Sequence, residues 1–220
     1  MLNHQPDKIE WRANIPFSTQ FNDLYYSADN GLAETQHVFL SGNNLPERFS
    51  TGFQIAELGF GTGLNLLVAL AAWRKSGVKG VLYFTSFEAF PLTPEQMIIA
   101  HQAFPEIKEI ATELASLWGN TITLPDLKFD LILGDARDTL PAWHKKADAW
   151  FLDGFAPTKN PELWEPTLMA DVAQHTKRGG SCSTYTAAGF VRRSLQKAGF
   201  SITRTPGFGR KRHMTKGTRQ

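Results

Sequence analysis

The segment Glu57-Leu58-Gly59-Phe60-Gly61-Thr62-Gly63 constrains this chain more than any other. Glycines at alternate positions let a backbone take positive φ and come close to another group. Phe53 to Leu58, just ahead, is a short apolar run, and Leu64 to Trp73, just behind, has the length and residue types of a buried helix. The pattern predicts a strand, a tight turn and a helix whose unpaired N–H groups face a negative ligand group. A nucleotide fits such a turn. The turn alone does not choose among nucleotides, since nicotinamide-binding folds use a similar one. Here the spacing is Gly-x-Gly-x-Gly, with Leu64 where a dinucleotide fold places its third glycine, which argues against NAD.

The alternation continues along the chain. Val81 to Phe87 is rich in aromatic and β-branched residues and ends at Glu88, after which Thr93-Pro94-Glu95-Gln96 reads as a helix start. Phe129 to Leu133 ends in Gly134-Asp135, and Ala149 to Leu152 ends in Asp153-Gly154. Asn160-Pro161-Glu162 is expected to cap a helix running to about Lys177 and ended by Gly179-Gly180, before a strand at Ser181 to Thr186 and a helix at Phe190 to Ala198. Strands alternating with helices imply an α/β fold, Rossmann-like, with a mostly parallel sheet covered on both faces. In such sheets ligands bind at the carboxyl ends of the strands, where Glu57, Glu88, Asp135 and Asp153 fall. Residues 1–50, rich in aromatic and polar side chains, are expected to form an extension over the sheet edge or the site. Residues 51–217 form the catalytic domain in this reading, and 218–220 a frayed tail.

The carboxylates sort the ligands. Glu57 is placed to meet the cationic amino group of a methionine moiety, which NAD lacks, with an ion pair or a cap as its alternative role. Glu88 is placed to accept from both ribose hydroxyls. Asp135, followed by Ala136, can accept from an adenine amino group or cap the helix behind it. With Gly59, Phe60, Gly61, Thr62, Gly63 and Asn65 around them, these residues point to S-adenosylmethionine and to methyl transfer. Such a reaction needs in-line positioning and, for an amine acceptor, a means of keeping the nitrogen unprotonated. Asp153 is the candidate catalytic group, with Phe155 and Trp164 as an aromatic wall. An ordinary Asp, pKa about 3.9, is a weak base toward an alkylammonium, so orientation is expected to outweigh proton abstraction. No histidine has metal-ligand spacing, and His101, His144 and His175 are expected at the surface; no metal is called for.

The chain has 220 residues, 42% of them hydrophobic, which suits one domain. Its lone Cys182 forms no internal disulfide, Met1 to Glu10 is too polar for a signal peptide, and no apolar run approaches the roughly 20 residues of a membrane span, so a cytoplasmic monomer is expected. Charge is segregated: from Val172 onward there are eleven Lys or Arg and no Asp or Glu. This favours a polyanion, nucleic acid above all, over a merely solubilising tail.

Several stretches are more specific than the glycine turn: Phe21 to Thr35 (Phe-Asn-Asp-Leu-Tyr-Tyr-Ser-Ala-Asp-Asn-Gly-Leu-Ala-Glu-Thr), Ser86 to Thr93, Asp148 to Pro157, Asn160 to Trp164, and Gly207 to Arg212. Together these resemble the methyltransferase domain of the MnmC family of tRNA wobble-uridine modification proteins, over nearly the whole chain. The resemblance implies methylation of the amine of 5-aminomethyl-(2-thio)uridine. It also implies an acceptor side drawn from Tyr25, Asn30, Gly31, Glu34, Gly154, Phe155, Ala156, Pro157, Trp164, Arg210, Lys211 and Arg212. Tyr25 and Phe39 would stack on the extruded base or pack in the core. Many amino-directed methyltransferases carry Asp-Pro-Pro-aromatic at this strand end, from which Gly154-Phe155-Ala156-Pro157 departs. MnmC proteins continue into a flavin-dependent oxidase, and this sequence stops at Gln220, so neither FAD nor oxidase activity is expected here; a separate oxidase domain or protein would act in the preceding step. A catalytically silent tRNA-binding module, a methyltransferase for small amines and an aminopropyl transferase are the competing readings.

Overall fold

The computed structural model describes residues 8–220; most of the polar start read at Met1 to Glu10 lies outside them. The first described segment forms a small antiparallel sheet of β1 (Ile9–Arg12), β2 (Ile15–Ser18) and β3 (Asp23–Leu24). A winding helical stretch follows, α1 (Gly31–Thr35) running through a π turn (Gln36–Leu40) and a 3-10 turn (Ser41–Asn43). Asn30 starts it, its side chain accepting from the Ala33 N–H.

The main body then alternates strand and helix: β4 (Gln54–Leu58), α2 (Leu64–Ser76), β5 (Leu82–Glu88), α3 (Pro94–His101), α4 (Lys108–Leu114), β6 (Thr121–Thr123), β7 (Leu127–Leu133), α5 (Ala136–Thr139), β8 (Ala147–Leu152), α6 (Pro166–Gln174), β9 (Thr176–Thr184), α7 (Gly189–Lys197), β10 (Phe200–Pro206) and β11 (His213–Arg219). These strands form one eight-stranded sheet in the order β10-β11-β9-β8-β4-β5-β7-β6. Strands β7, β5, β4, β8 and β9 are parallel, while β6 and β11 run antiparallel to their neighbours. The expected α/β architecture is therefore present. From β4 the chain moves outward to β5 and later returns to β8 on the other side, so the strand order reverses between β4 and β8, where a ligand crevice opens in sheets of this kind.

The sheet separates two cores. Phe151 faces one with Phe84, Phe129, Leu67 and Trp73, while its neighbour Trp150 faces the other with Phe87, Trp143, Leu168 and Val191. That is the two-residue alternation of a strand buried on both sides. All five residues of β4 are buried, fixing it as the central strand.

Four local expectations change. The helix expected from Asn160 to Lys177 is broken, because Glu165 precedes Pro166 and takes an extended conformation (φ −61°, ψ 145°); Pro161–Trp164 becomes a 3-10 turn and α6 ends at Gln174. Gly179 and Gly180 do not end a helix but sit within β9, Gly179 at φ 75°, where pairing with β8 shifts register. The tail expected to fray at 218–220 is instead paired, Thr218 with Ser201 and Ser181, and Arg219 with Phe200. The fourth concerns histidine: His101 is 4% exposed and its Nε2 lies 2.7 Å from Thr62 O, so it props the glycine turn.

Asn43 ties the N-terminal extension to the sheet. Fully buried, it donates to Phe39 O at 3.0 Å, Trp150 O at 3.3 Å and Ser183 Oγ at 2.6 Å, and its own oxygen accepts from Ser181 Oγ at 2.6 Å. Arg48 beside it donates to Asn43 O, Ser181 Oγ and Asp148 O. Removing one member of such a network leaves the others buried without partners, at about 1–3 kcal/mol for each group. Asn43→Leu is accordingly expected to lower unfolding free energy by roughly 2–4 kcal/mol in urea titrations; a loss below about 0.5 kcal/mol would show that the extension is held by apolar packing alone.

Candidate active site

The strand ends around β4 are laced together by backbone hydrogen bonds: Gly59 N to Phe87 O at 2.9 Å, Asp153 N to Leu58 O at 2.9 Å, and Gly134 N to Glu88 O at 2.9 Å. This brings the glycine turn against the first residues after β8. A β-carbon at Gly59, which has φ 84°, would overlap the backbone carbonyl of Asp153, so no other residue permits this approach. Gly63 starts α2 at φ 75°, and a side chain there would press on the Phe60 ring.

Above these ends lies a cavity of about 790 Å³. Gly59, Phe60, Gly61, Thr62 and Asn65 line one part with Glu88, Asp135 and Ala136; Asp153, Gly154, Phe155 and Ala156 line the floor; Tyr25, Gly31, Glu34 and Lys211 line the far wall. Of the residues expected at the site, Glu57, Gly63, Asn30, Pro157, Trp164, Arg210 and Arg212 do not line it. Asn30 is spent on capping α1. Trp164 is 1% exposed and donates to Phe155 O at 2.9 Å, so it supports the wall from behind. Arg210 and Arg212 point to solvent on the loop between β10 and β11, with only Lys211 of that run turned inward.

Glu57 requires the largest correction. It is fully buried, accepting from Ser86 Oγ at 2.7 Å and Asn65 Nδ2 at 2.8 Å. Burial pushes its pKa well above the usual carboxylate range, opposed by the hydrogen bonds from Ser86 and Asn65. A direct contact with a methionine amino group is therefore not available to it. The same Asn65 amide also donates to Asp153 Oδ2 at 2.7 Å, so one amide nitrogen bridges a hidden carboxyl and a cavity-facing one. Asp153 is pushed up to about 7, first by burial, against the Asn65 hydrogen bond, with Glu34 raising it further and Lys211 lowering it.

Glu88 accepts from Phe60 N at 2.9 Å and Gly61 N at 3.2 Å on one oxygen, and from Phe90 N at 2.8 Å on the other. These turn N–H groups thus serve the protein's own carboxylate. Burial raises the Glu88 pKa and its backbone hydrogen bonds oppose this. Among the described residues no cationic side chain pairs with it, and with Oε2 accepting two backbone N–H groups and Oε1 one, the remaining acceptor site on Oε1 suits a hydroxyl such as one of a ribose. Asp135 is half-exposed and its pKa is lowered, chiefly by the hydrogen bond from the Arg137 side chain; it caps α5 through Arg137 N at 2.9 Å and pairs with the Arg137 side chain. It is an acceptor at the other end of the same trough.

Several lining residues escaped the sequence reading. Phe21 stacks on Phe155 (centroids 4.9 Å, 26°), and Tyr25 meets the same ring edge-on at 5.1 Å. Asp23 accepts from Ala156 N at 3.1 Å and pairs with Lys159, binding β3 to the loop after β8. Tyr185 donates to Gly154 O at 2.7 Å. Only the Phe21 to Thr35 stretch as a whole carried a signal for the first two. Tyr185 had none, because its role comes from where β9 ends. Phe39 is 3% exposed and packs on Phe151 with centroids 5.3 Å apart, as core with one edge at the cavity.

A family profile described as "S-adenosyl-L-methionine-dependent methyltransferase" matches residues 101–220, more than half of the chain. The chain belongs to this family. The methyltransferase uses S-adenosylmethionine, and the Glu88 end of the trough has the acceptors that its nucleoside requires. Among curated relatives, the tRNA 5-methylaminomethyl-2-thiouridine biosynthesis bifunctional protein MnmC of Hahella chejuensis is 43% identical over 96% of this chain and 36% of its own length. The protein of the same name from Vibrio cholerae is 45% identical over 96% of this chain and 35% of its own. The methyltransferase thus spans about a third of the length of these relatives. The crystal structure of MnmC2 from Aquifex aeolicus superposes with a TM-score of 0.78 at 27% identity, covering 98% of this chain and 71% of that one. No helix among the described residues is long and apolar enough to cross a membrane.

The raised Asp153 pKa has a consequence for stability. A carboxyl titrating near 7 in the folded chain and near 3.8 when unfolded holds its proton more tightly when folded. Its contribution is full below the unfolded value and is lost as pH rises through the folded one. Asp153→Asn is therefore expected to melt above the wild type at pH 8, with the gap closing toward pH 4. Parallel melting curves at all pH values would show that the carboxyl titrates normally.

Proposed function

We propose that this methyltransferase transfers the methyl group of S-adenosylmethionine to the primary amine of 5-aminomethyl-(2-thio)uridine at the wobble position of tRNA. The observation that carries this reading is the enclosed carboxyl of Asp153, titrating near neutrality on the floor of an aromatic-walled cavity. A group with ordinary Asp acidity would only pair with an ammonium; one near 7 can also accept its proton at physiological pH. The names of the curated relatives support the choice of acceptor.

When bound, S-adenosylmethionine supplies a methyl group already activated by its sulfonium. The chain's residues do the rest. Glu88, with Asp135 at the far end of the trough, holds the nucleoside. Asn65 fixes the direction of the Asp153 carboxylate by donating to Oδ2. Asp153 takes a proton from the acceptor's ammonium before attack, which frees the nitrogen lone pair that forms the new N–C bond. Phe155, braced by Phe21 and Tyr25, excludes water and offers a flat face beside the floor. The acid-free C-terminal quarter faces tRNA phosphates. Desolvation lowers the pKa of His213, and the charges of Arg204, Arg212 and Arg192 lower it further, which supports a basic surface there. A flavin oxidase, fused in or acting separately, supplies the aminomethyl substrate in this reading.

The direct test is methyl transfer from labelled S-adenosylmethionine to tRNA bearing the aminomethyl intermediate; RNA binding without any transfer by folded protein would support the silent-module reading instead. Asp153→Asn is expected to lower kcat by about 10²-fold or more while S-adenosylmethionine affinity, measured by calorimetry, stays within about threefold. Wild-type kcat/KM should fall as pH drops below about 7, because protonation removes the acceptor. Equal loss of affinity and turnover would move Asp153 to the cofactor side.

A further inference from the structure

Lys211 is the one residue of the Arg210-Lys211-Arg212 run that turns into the cavity. Its ammonium lies 2.6 Å from Glu34 Oε1, and 4.0 Å from the centroid of the Tyr185 ring. Glu34 is only 12% exposed at its side chain, and Tyr185 is anchored through its hydroxyl to Gly154 O, immediately after Asp153. A carboxylate joined to the face of an aromatic ring is a recognition pattern for an alkylammonium. Both groups line the same cavity as Asp153. The free protein thus places a primary alkylammonium of its own beside the floor on which an amine acceptor has to arrive.

We propose that Glu34 and the Tyr185 ring form the subsite for the acceptor's ammonium group, and that Lys211 fills this subsite in the free enzyme until the substrate displaces it. This rests on the amine-acceptor reading above. The placement of Lys211 suits displacement. It belongs to the loop between β10 and β11, where Phe208 O accepts from Lys211 N at 3.0 Å, and its side chain is 43% exposed. A partly exposed ion pair is weak and its lysine is easily returned to water. A substrate amine carried on a large RNA arrives at high effective concentration once the rest of the RNA has docked. The lysine thereby keeps Glu34 paired when no substrate is present, and once displaced it returns to water. Glu34 is a specificity-determining residue in this arrangement: it favours a cationic nitrogen and disfavours an anionic or neutral group at the uridine 5-position.

Two measurements test this. In the first, kinetics with aminomethyl-bearing tRNA compare wild type, Lys211→Met, Glu34→Gln and the double variant, each checked for folding by circular dichroism. Lys211→Met is expected to lower KM about two- to fivefold, because a weak internal competitor is removed. Glu34→Gln should raise KM about tenfold or more, and adding Lys211→Met to it should give no further gain. A raised KM for Lys211→Met would overturn the proposal, making Lys211 a direct RNA contact. The second is independent of turnover: the NMR signal of the Lys211 side chain, assigned by its loss in Lys211→Met, is followed on adding 5-aminomethyluridine or unmodified uridine as free nucleosides. A shift with the amine and none with uridine is expected. Equal response to both, or to neither at saturation, would overturn the subsite. If wild type fails to methylate the tRNA yet the NMR shift is seen, the tRNA assignment falls and the amine subsite stands.

Discussion

The site depends on how near the backbone at Gly59 comes to the carbonyl of Asp153. Neighbouring parallel strands already lie close, but their ends normally diverge as loops leave in different directions. Here the positive φ of Gly59 turns the chain so that its N–H still reaches Phe87 O while its empty β-position faces the Asp153 carbonyl. That contact closes the gap at the point of strand reversal. It brings Asn65, on the first turn of α2, within reach of carboxyls from β4 and from the loop after β8. Without it the two acids would be separate features of separate loops.

A buried pair of carboxyls bridged by one amide is costly, and the cost identifies the place as functional. Glu57 and Asp153 are both raised by burial, and among the described residues no cation pairs with either one. What opposes burial at Asp153 is first the Asn65 hydrogen bond; across the cavity Glu34 raises its pKa and Lys211 lowers it. Stability alone would favour apolar residues at both positions. Of the two acids, Asp153 faces the cavity while Glu57 is held behind it by Ser86 and Asn65.

Much of this could be read in the sequence, and the failures share a cause. The strands and the helix α2 were legible because β4, β5 and β8 are apolar runs closed by glycine or acid, which local pattern suffices to mark. Which acid faces the cavity was not legible. Glu57 and Glu88 both close strands, but Glu57 pairs with Ser86, two residues short of Glu88, so the two carboxyls share a face of the sheet and only the further reach of β5 carries Glu88 to the cavity. Trp164 and His101 were misread for the same reason: their surroundings are supplied by residues distant in sequence, Phe155 and Tyr185 for one, Thr62 and Trp118 for the other. The basic run at 210–212 marked a surface correctly, but only the loop geometry separates its inward lysine from the flanking arginines.

The Asn43 network bears on how freely residues 8–50 could be exchanged. Its acceptors and donors are a main-chain carbonyl of β8 and two serines of β9, all on the hidden side of the sheet. The segment that walls the cavity with Phe21 and Tyr25 is therefore keyed to its own scaffold in the manner of a lock with three wards. Transplanting it to another sheet would require carrying Ser181 and Ser183 along, so cavity wall and scaffold here form one inseparable module.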